Sequence, residues 1–504
     1  MIANVTPRLR VDAPAPDVVG NETRSRKSIR RSTRGRGWAQ LLLTIVAAAI
    51  GLGAYALVWE GLGNPGLPSN FMPLSVAAGI IAVALHITLR IIVPAADPIL
   101  LPAAVALNGL GLAIIYRVDQ ANGTANVRSQ FILTGAALVF FVLTVVLLRN
   151  PRRLARYPWT FLALGIVLLL LPLSPFGAEI NGSRLWIRLA GFSFQPAEVA
   201  KICFAIFFAA YLTAERDNLA LAGPKVLGLR LPKPRHFLPV LLAWGVCMAV
   251  LVLEKDFGTA LLFFGLFVVM LYVATHRVSW LIIGGLLTAA GIAFIGATVP
   301  HIRARVKIWL DPFSGELYNA RGGSYQLVQG LFGMGHGGLL GTGLGKGHPE
   351  LVYAAQSDFV IATIGEELGL VGLLAVMCMY LLMVTRGLNI ALKSRNNFTK
   401  LLAAGLAFII GLQCFIVVGG VTRVIPLTGL ALPFLAHGGS ALLTNWIVVA
   451  VLLRISDTMG TPSPRVSLPT DAELAALSHD DAAAAGLGAS SSAQDRLETQ
   501  VVKL

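Results

Sequence analysis

A few ionisable side chains stand inside long apolar stretches, and these are the first candidates for chemistry. Glu198 and Lys201 follow Pro196 at i, i+3 spacing, so one helix face carries both and they can pair. Such a pair inside a membrane span is costly unless it faces a cavity or a partner. It is either a salt bridge that fixes the helix end or the lining of a polar site. Asp256 precedes Phe257-Gly258-Thr259, where an aspartate can cap a helix N-terminus. Asp358, Glu366 and Glu367 are three acids in otherwise apolar sequence, a pattern that marks function at membrane depth. Trp186 stands between Arg184 and Arg188, as an aromatic flanked by cations does at a headgroup interface.

Backbone chemistry is the second candidate. Eleven glycines lie between Gly322 and Gly347, headed by Tyr325 and Gln326. Gly-rich backbone at membrane depth is tolerated only when buried in protein or lining a wet cavity. Gly341 to Gly347 looks like a phosphate loop, but Leu340 replaces its first glycine and no Ser or Thr follows Lys346. Its N–H groups could still hold a phosphate. Further on, Pro426, Pro433 and Gly438-Gly439 before Ser440 break a helix and expose backbone groups. His437 beside them reads as a hydrogen-bonding residue rather than a base.

The elements that position these residues follow from composition. Charged residues make up 13% of 504 and hydrophobic residues 56%, against roughly 25% charged in ordinary soluble domains. Mean hydropathy is +0.74. Disordered, coiled-coil and typical cytosolic classes are excluded. The net charge of +15 fits a nucleic-acid binder or a membrane protein with basic cytoplasmic loops. So apolar a chain has little soluble face for nucleic acid, and none is expected. Cys203, Cys247, Cys378 and Cys414 lie in apolar stretches without metal spacing and read as packing.

Apolar segments of spanning length fall near 38–59, 72–93, 98–117, 129–148, 158–174, 196–213, 236–254, 257–275, 279–298, 357–385, 400–422 and 437–455. The expected fold is an all-α polytopic membrane protein of about twelve transmembrane helices. Arg-rich short loops, such as Arg149 to Arg156 and Arg216 to Arg235, put both termini in the cytoplasm. Residues 1–37 read as a disordered basic tail, 38–457 as the membrane domain and 458–504 as a second disordered tail. Loops 175–196 and 299–356 then lie outside. The second carries Arg303, Arg305, Lys307, Arg321 and Lys346, against the positive-inside rule. Either loops of that length translocate regardless of charge, or an anionic ligand needs them.

Five blocks in order resemble the SEDS family of bacterial membrane proteins, the RodA/FtsW/SpoVE group. They are Asn181–Ile187 with Gln195–Lys201, Asp256–Thr259, Tyr325–Gly345, Asp358–Gly369 and Pro426–Ser440. The resemblance implies a ten-span core with two extra N-terminal spans in the cytoplasmic membrane. It implies polymerisation of lipid II into peptidoglycan at the outer face, beside a class B penicillin-binding transpeptidase in an elongation or division complex, elongation being favoured. It also implies external cations, or a divalent Mg2+ or Mn2+, to offset the pyrophosphate charge, and a carboxylate base. Arg184, Arg188, Lys201 and the large-loop basic residues Arg303, Arg305, Lys307, Arg321 and Lys346 are the candidate cations, with Glu198 orienting Lys201. Trp186, Asp256, Tyr325, Gln326, Asp358, Glu366, Glu367, Pro433, Gly438, Gly439 and Ser440 complete the expected substrate site. The family's essential aspartate falls at Asn319, which cannot act as a base, so Asp311 or Glu316 is expected to replace it. Glu254-Lys255, where Gln-Pro is usual, and Ser357, Ala436-His437 and Ala441 are smaller departures. The alternative activity is a flippase or transporter of the lipid-linked precursor. A scaffold without catalysis is a third reading.

Overall fold

The computed structural model describes residues 16–180, 183–189, 192–216, 225–226, 229–230, 234–298, 300–320 and 323–460. The C-terminal tail expected over 458–504 lies almost wholly outside the described residues, as do residues 1–15. The N-terminal stretch read as a tail is otherwise helical: α1 runs Pro16–Gly61, with its apolar span at Gly37–Gly61.

The hydropathy pattern becomes helices nearly segment for segment. After α1 come α2 (Phe71–Ile92), α3 (Leu100–Asn122), α4 (Asn126–Leu147), α5 (Pro158–Leu170) and α6 (Pro196–Ala214). Next are α7 (Pro234–Leu253), α8 (Phe257–Thr275) and α9 (Ser279–Thr298). Among the described residues nine helices are long and apolar enough to cross a membrane, and shorter apolar helices occupy Pro158–Leu173, Leu241–Leu253 and Ser279–Ala293. These three shorter helices lie where the remaining expected segments fall. The chain is a multi-pass membrane protein.

The segment expected as one span over 357–385 is broken in two. α13 (Val360–Glu367) and α14 (Gly369–Lys393) meet at Leu368. Gly369 sits at φ +67°, and a Cβ there would lie 2.3 Å from the amide nitrogen of Gly341. The break therefore exists because the Gly-rich backbone packs against it. Leu370 and Val371 donate their N–H groups to the carbonyls of Gly338 and Leu339, at 3.0 and 3.1 Å. Groups that a continuous helix would satisfy internally are paired with the loop instead. The remaining spans are α15 (Asn397–Val421) and α16 (Gly439–Gly460).

Two loops are more ordered than an all-α reading provides. Gly177–Ile180, Ser183–Leu189 and Phe192–Phe194 form an antiparallel sheet, β1 to β3, in sequence order. The large loop folds as α10 (Pro300–Leu310), α11 (Gly315–Asn319) and α12 (Tyr325–Gly337).

Burial separates an inner from an outer layer. The apolar windows of α3, α6, α15 and α16 are 78%, 78%, 72% and 83% buried, against 28%, 17% and 22% for α1, α2 and α4. The inner helices carry small and apolar residues on all sides, as helices wrapped by protein must. Phe204, Phe207, Phe263 and Trp446 are fully buried among them.

Candidate active site

A cavity of about 620 Å³ opens at the end of the bundle where β2, the α7–α8 junction, α10 and the 422–438 segment meet. Polar side chains gather along its wall. Lys255, Asp256, Arg305, Asp358 and His437 face it together with Trp186 and Gln195. Apolar membrane sequence surrounds a concentrated set of charges, the usual pattern of an intramembrane functional site.

Asp256 is the N-cap of α8, as its Gly-Thr context suggests. Its carboxylate accepts from Thr259 N at 3.0 Å and Thr259 Oγ1 at 2.7 Å, and from Gln195 Nε2 at 3.3 Å. Burial pushes its pKa up, the Thr259 bonds pull it down, and Glu198 and Arg305 act in opposite directions. Its acceptor sites are largely engaged. Asp358 precedes α13 and accepts from Ser357 Oγ at 3.0 Å. Burial raises its pKa, against Ser357 and the Arg305 charge. Asp358 thus keeps unused acceptor capacity toward the cavity.

Arg305 lies on α10 and is held by its Nη1, which donates to the carbonyls of Leu427 and Thr428, both at 3.0 Å. Desolvation lowers its pKa, while Asp358 and then Asp256 raise it. His437 sits 3.1 Å from Ser129 Oγ through Nε2, and burial holds its pKa below the ordinary value. Its N–H donates to Gln356 O at 2.7 Å, so His437 is hydrogen-bonded on both backbone and ring.

Glu198 and Lys201 pair as their spacing predicts, Nζ to Oε2 at 2.5 Å, with side chains 6% and 1% exposed. They are not on the cavity wall. Lys201 Nζ also donates to Gln413 Oε1 at 3.0 Å, and Gln413 Nε2 donates to Ala431 O at 2.8 Å. Ala431 lines the cavity, so the buried pair props the wall from behind.

Six expected site residues line the cavity: Trp186, Asp256, Gln326, Asp358, Gly438 and Ser440. Ser440 Oγ accepts from Gln195 N at 2.7 Å, tying α16 to the strand end before α6. The others fall elsewhere. Arg184 and Arg188 are exposed, and Arg184 stands 3.5 Å from Glu179 on the sheet. Tyr325 is 42% exposed and packs its ring on Tyr318 at 5.2 Å. Pro433 is buried and its carbonyl accepts from Tyr380 Oη. Gly439 packs against Leu133 of α4.

The Gly-rich loop does not offer its N–H groups to a phosphate. Gly345 N and Gly347 N donate to the Glu367 carboxylate at 2.9 and 3.2 Å, and His348 N donates to Glu366 Oε1 at 3.0 Å. Glu366 and Glu367 are therefore holders of the loop, away from the cavity wall, and Lys346 is exposed beside them. Arg117 of α3 completes the anchor, with Nε 2.6 Å from Glu367 Oε1 and Nη2 2.6 Å from Gly347 O.

The expected replacement base is also displaced. Asp311 and Glu316 are exposed and neither lines the cavity. Ser324 Oγ donates to Pro312 O at 2.5 Å and Asn319 Nδ2 donates to Gly315 O at 2.9 Å, which closes this stretch on itself as α11. Arg305, one of the expected large-loop cations, lines the cavity with Lys255 and His437, to which the sequence assigns no role at the site. The Arg305 charge had one signal, its place among external cations that break the topology rule. Among the described residues no three His, Cys, Asp or Glu side chains converge.

The fold and cavity define a class: a polytopic membrane protein whose reactive groups gather at one end of the bundle, on loops braced by inner helices. The chain belongs to the FtsW/RodA/SpoVE family, described as "Cell cycle protein", which matches residues 98–460. It is similar to peptidoglycan glycosyltransferase RodA of Mycobacterium tuberculosis, 45% identical over 428 residues, 83% of this chain and 90% of that one. It is 30% identical to the probable peptidoglycan glycosyltransferase FtsW of Geobacter sp., over 72% of this chain and 97% of that one. The higher identity favours a RodA-like member. In fold it is similar to a chain of a peptidoglycan synthase complex solved to show coordination of polymerization and crosslinking. That likeness has a TM-score of 0.58 at 24% identity and covers 72% of this chain and 98% of the other.

Proposed function

We propose that this protein is a peptidoglycan glycosyltransferase that polymerises lipid II at the outer face of the cell membrane. The single observation that carries the reading is the cavity whose lining brings Arg305, Lys255 and Asp358 together in a family-defined fold. The acceptor sugar's 4-hydroxyl attacks C1 of the lipid-linked donor sugar. The O4–C1 bond forms, the bond from C1 to the phosphate oxygen breaks, and the lipid pyrophosphate leaves.

Asp358 takes the hydroxyl proton. It is the cavity carboxylate with unused acceptor capacity, and burial makes it a stronger base than an exposed aspartate. Arg305 and Lys255 stabilise the charge that develops on the leaving pyrophosphate. Lys255 holds a positive φ of 62°, a strained conformation that reads as functional at a site wall. Asp256 and the Glu198–Lys201 pair position the wall. The RodA-like identity supports a role in elongation and cell shape, with a class B penicillin-binding transpeptidase as partner.

The test supplies labelled lipid II to purified protein with its transpeptidase. Glycan polymer that is lost in Asp358→Asn supports the reading. Absence of polymer under every condition, with translocation in liposomes, would establish the flippase instead. The cavity's place at one end, rather than at mid-span, supports the polymerase.

A further inference from the structure

A second cavity lies apart from the first, in the outer layer. It measures about 580 Å³ and is an open slot lined by α1, α2, α3 and α4. The first two of these helices precede the family match at residue 98, so the cavity is built on an N-terminal addition to the family core. α1 and α3 cross in close contact, because a Cβ on Gly51 would lie 2.7 Å from Gly109 Cα. Small residues at such a crossing let helix backbones approach. The space that remains runs between α2 and α4.

Its two ends differ. At depth the wall is mainly aliphatic, with Leu85, Val105 and Leu138; the hydroxyls of Thr44 and Thr134 are turned back to their own helix carbonyls at 2.7 and 2.8 Å, and the buried Asn108 donates to Thr134 Oγ1 at 3.5 Å. At the helix ends near residues 61, 71, 122 and 126 it becomes polar. Tyr55 donates to Asn70 Oδ1 at 2.8 Å and packs edge-on against Tyr116 at 4.9 Å. Arg128, in the first turn of α4, is exposed at this end. Among the described residues no carboxylate lies within ion-pair distance of it. An apolar slot with tyrosines and an unpaired arginine at one mouth has the polarity of a single lipid molecule.

We propose that this cavity binds one acyl chain of an anionic phospholipid, with the lipid phosphate on Arg128. The volume accommodates that occupant. At roughly 30 Å³ for a water-sized group, the space takes on the order of twenty methylenes, one acyl chain and far less than an undecaprenyl chain. The bound lipid braces α4, whose opposite face serves the first cavity. Ser129 meets His437, and Gln130 Oε1 accepts from Gly438 N at 3.3 Å. Lipid binding on one side of α4 and the His437–Gly438 wall on the other are thus joined through a single helix.

The test reads binding, so it does not depend on the polymerase reading. Full-length protein would be extracted from vesicles of equal phosphatidylglycerol and phosphatidylcholine, and retained lipid counted by native mass spectrometry. Gly135 lines the cavity, and a Cβ there meets nothing within 4 Å. Gly135→Leu therefore fills the slot without a clash. The expected result is one retained phosphatidylglycerol in the parent protein, at least tenfold less in Gly135→Leu, and loss of headgroup preference in Arg128→Gln. Equal retention in the parent and Gly135→Leu overturns the proposal. So does displacement of the phospholipid by an equimolar polyprenyl phosphate, which would assign the slot to an isoprenoid. An unchanged melting temperature of Gly135→Leu keeps the loss distinct from misfolding.

Discussion

Arg117 and Glu367 meet at 2.6 Å with side chains 5% and 0% exposed, across 250 residues of sequence. The Glu367 carboxylate also accepts from Gly345 N and Gly347 N, so one buried ion pair fixes α3, the Gly-rich loop and the α13–α14 break together. Removing one partner leaves a buried charge unpaired, which costs about 3–5 kcal/mol. Arg117→Met is expected to lower the melting temperature in detergent strongly. Arg117→Met with Glu367→Leu should recover most of that loss, although the two loop N–H bonds stay broken. A double variant as unstable as the single one would mean that the N–H bonds, rather than the charge, hold the loop.

Asp358→Asn should lower polymerisation by about 10²–10⁴-fold, the usual contribution of a positioned base. Asp311→Asn and Glu316→Gln should each stay within a few fold of the parent, since neither residue lines the cavity. Steady-state rates on labelled lipid II check this directly. A collapse of activity in Asp311→Asn or Glu316→Gln, with Asp358→Asn active, would return the proton to the loop over α11.

Spans were readable because hydropathy is local, and the Glu198–Lys201 pair because i, i+3 neighbours share a helix face. Asp256 was readable as a cap for the same reason. The Arg117–Glu367 pair was not, since nothing in either neighbourhood names a partner so distant in sequence. Glu366 and Glu367 stand out in the sequence as acids in an apolar stretch, but the loop N–H groups that they accept from are not legible there. The sheet did leave a signal: Arg184-Leu185-Trp186-Ile187-Arg188-Leu189 alternates polar or aromatic with aliphatic residues, the period of a strand.

Glu254 gives a pH prediction. It is 2% exposed, and burial first, then the neighbouring Asp256 charge, push its pKa up to about 8 from the ordinary 4.5. The folded protein therefore keeps a proton that the unfolded chain releases between those values. Folded stability from this group is full below that window and falls as pH rises through it. A protonated carboxyl also has nearly the shape of a glutamine amide. Glu254→Gln should match the parent at pH 5 and exceed it in melting temperature at pH 9. Parallel curves at both pH values would mean that Glu254 stays ionised in the folded state.

Glycine substitutions test why the loop is Gly-rich. Gly341 has φ +84°, and a Cβ there would lie 2.2 Å from the Glu367 carbonyl oxygen. Both the conformation and the contact forbid a side chain, so Gly341→Ala should destabilise by more than about 1 kcal/mol. Gly135 is the counter-case. It lies in the middle of α4 with open space at its Cβ position, so Gly135→Ala should be neutral or should gain up to about 1 kcal/mol of helix stability. Thermal unfolding of the two single-alanine variants in the same detergent decides the point. If Gly341→Ala melts with the parent, the glycines are not there for close approach to α13 and α14. If it melts early while Gly135→Ala does not, packing of the loop against the helix break accounts for the glycines without any bound phosphate.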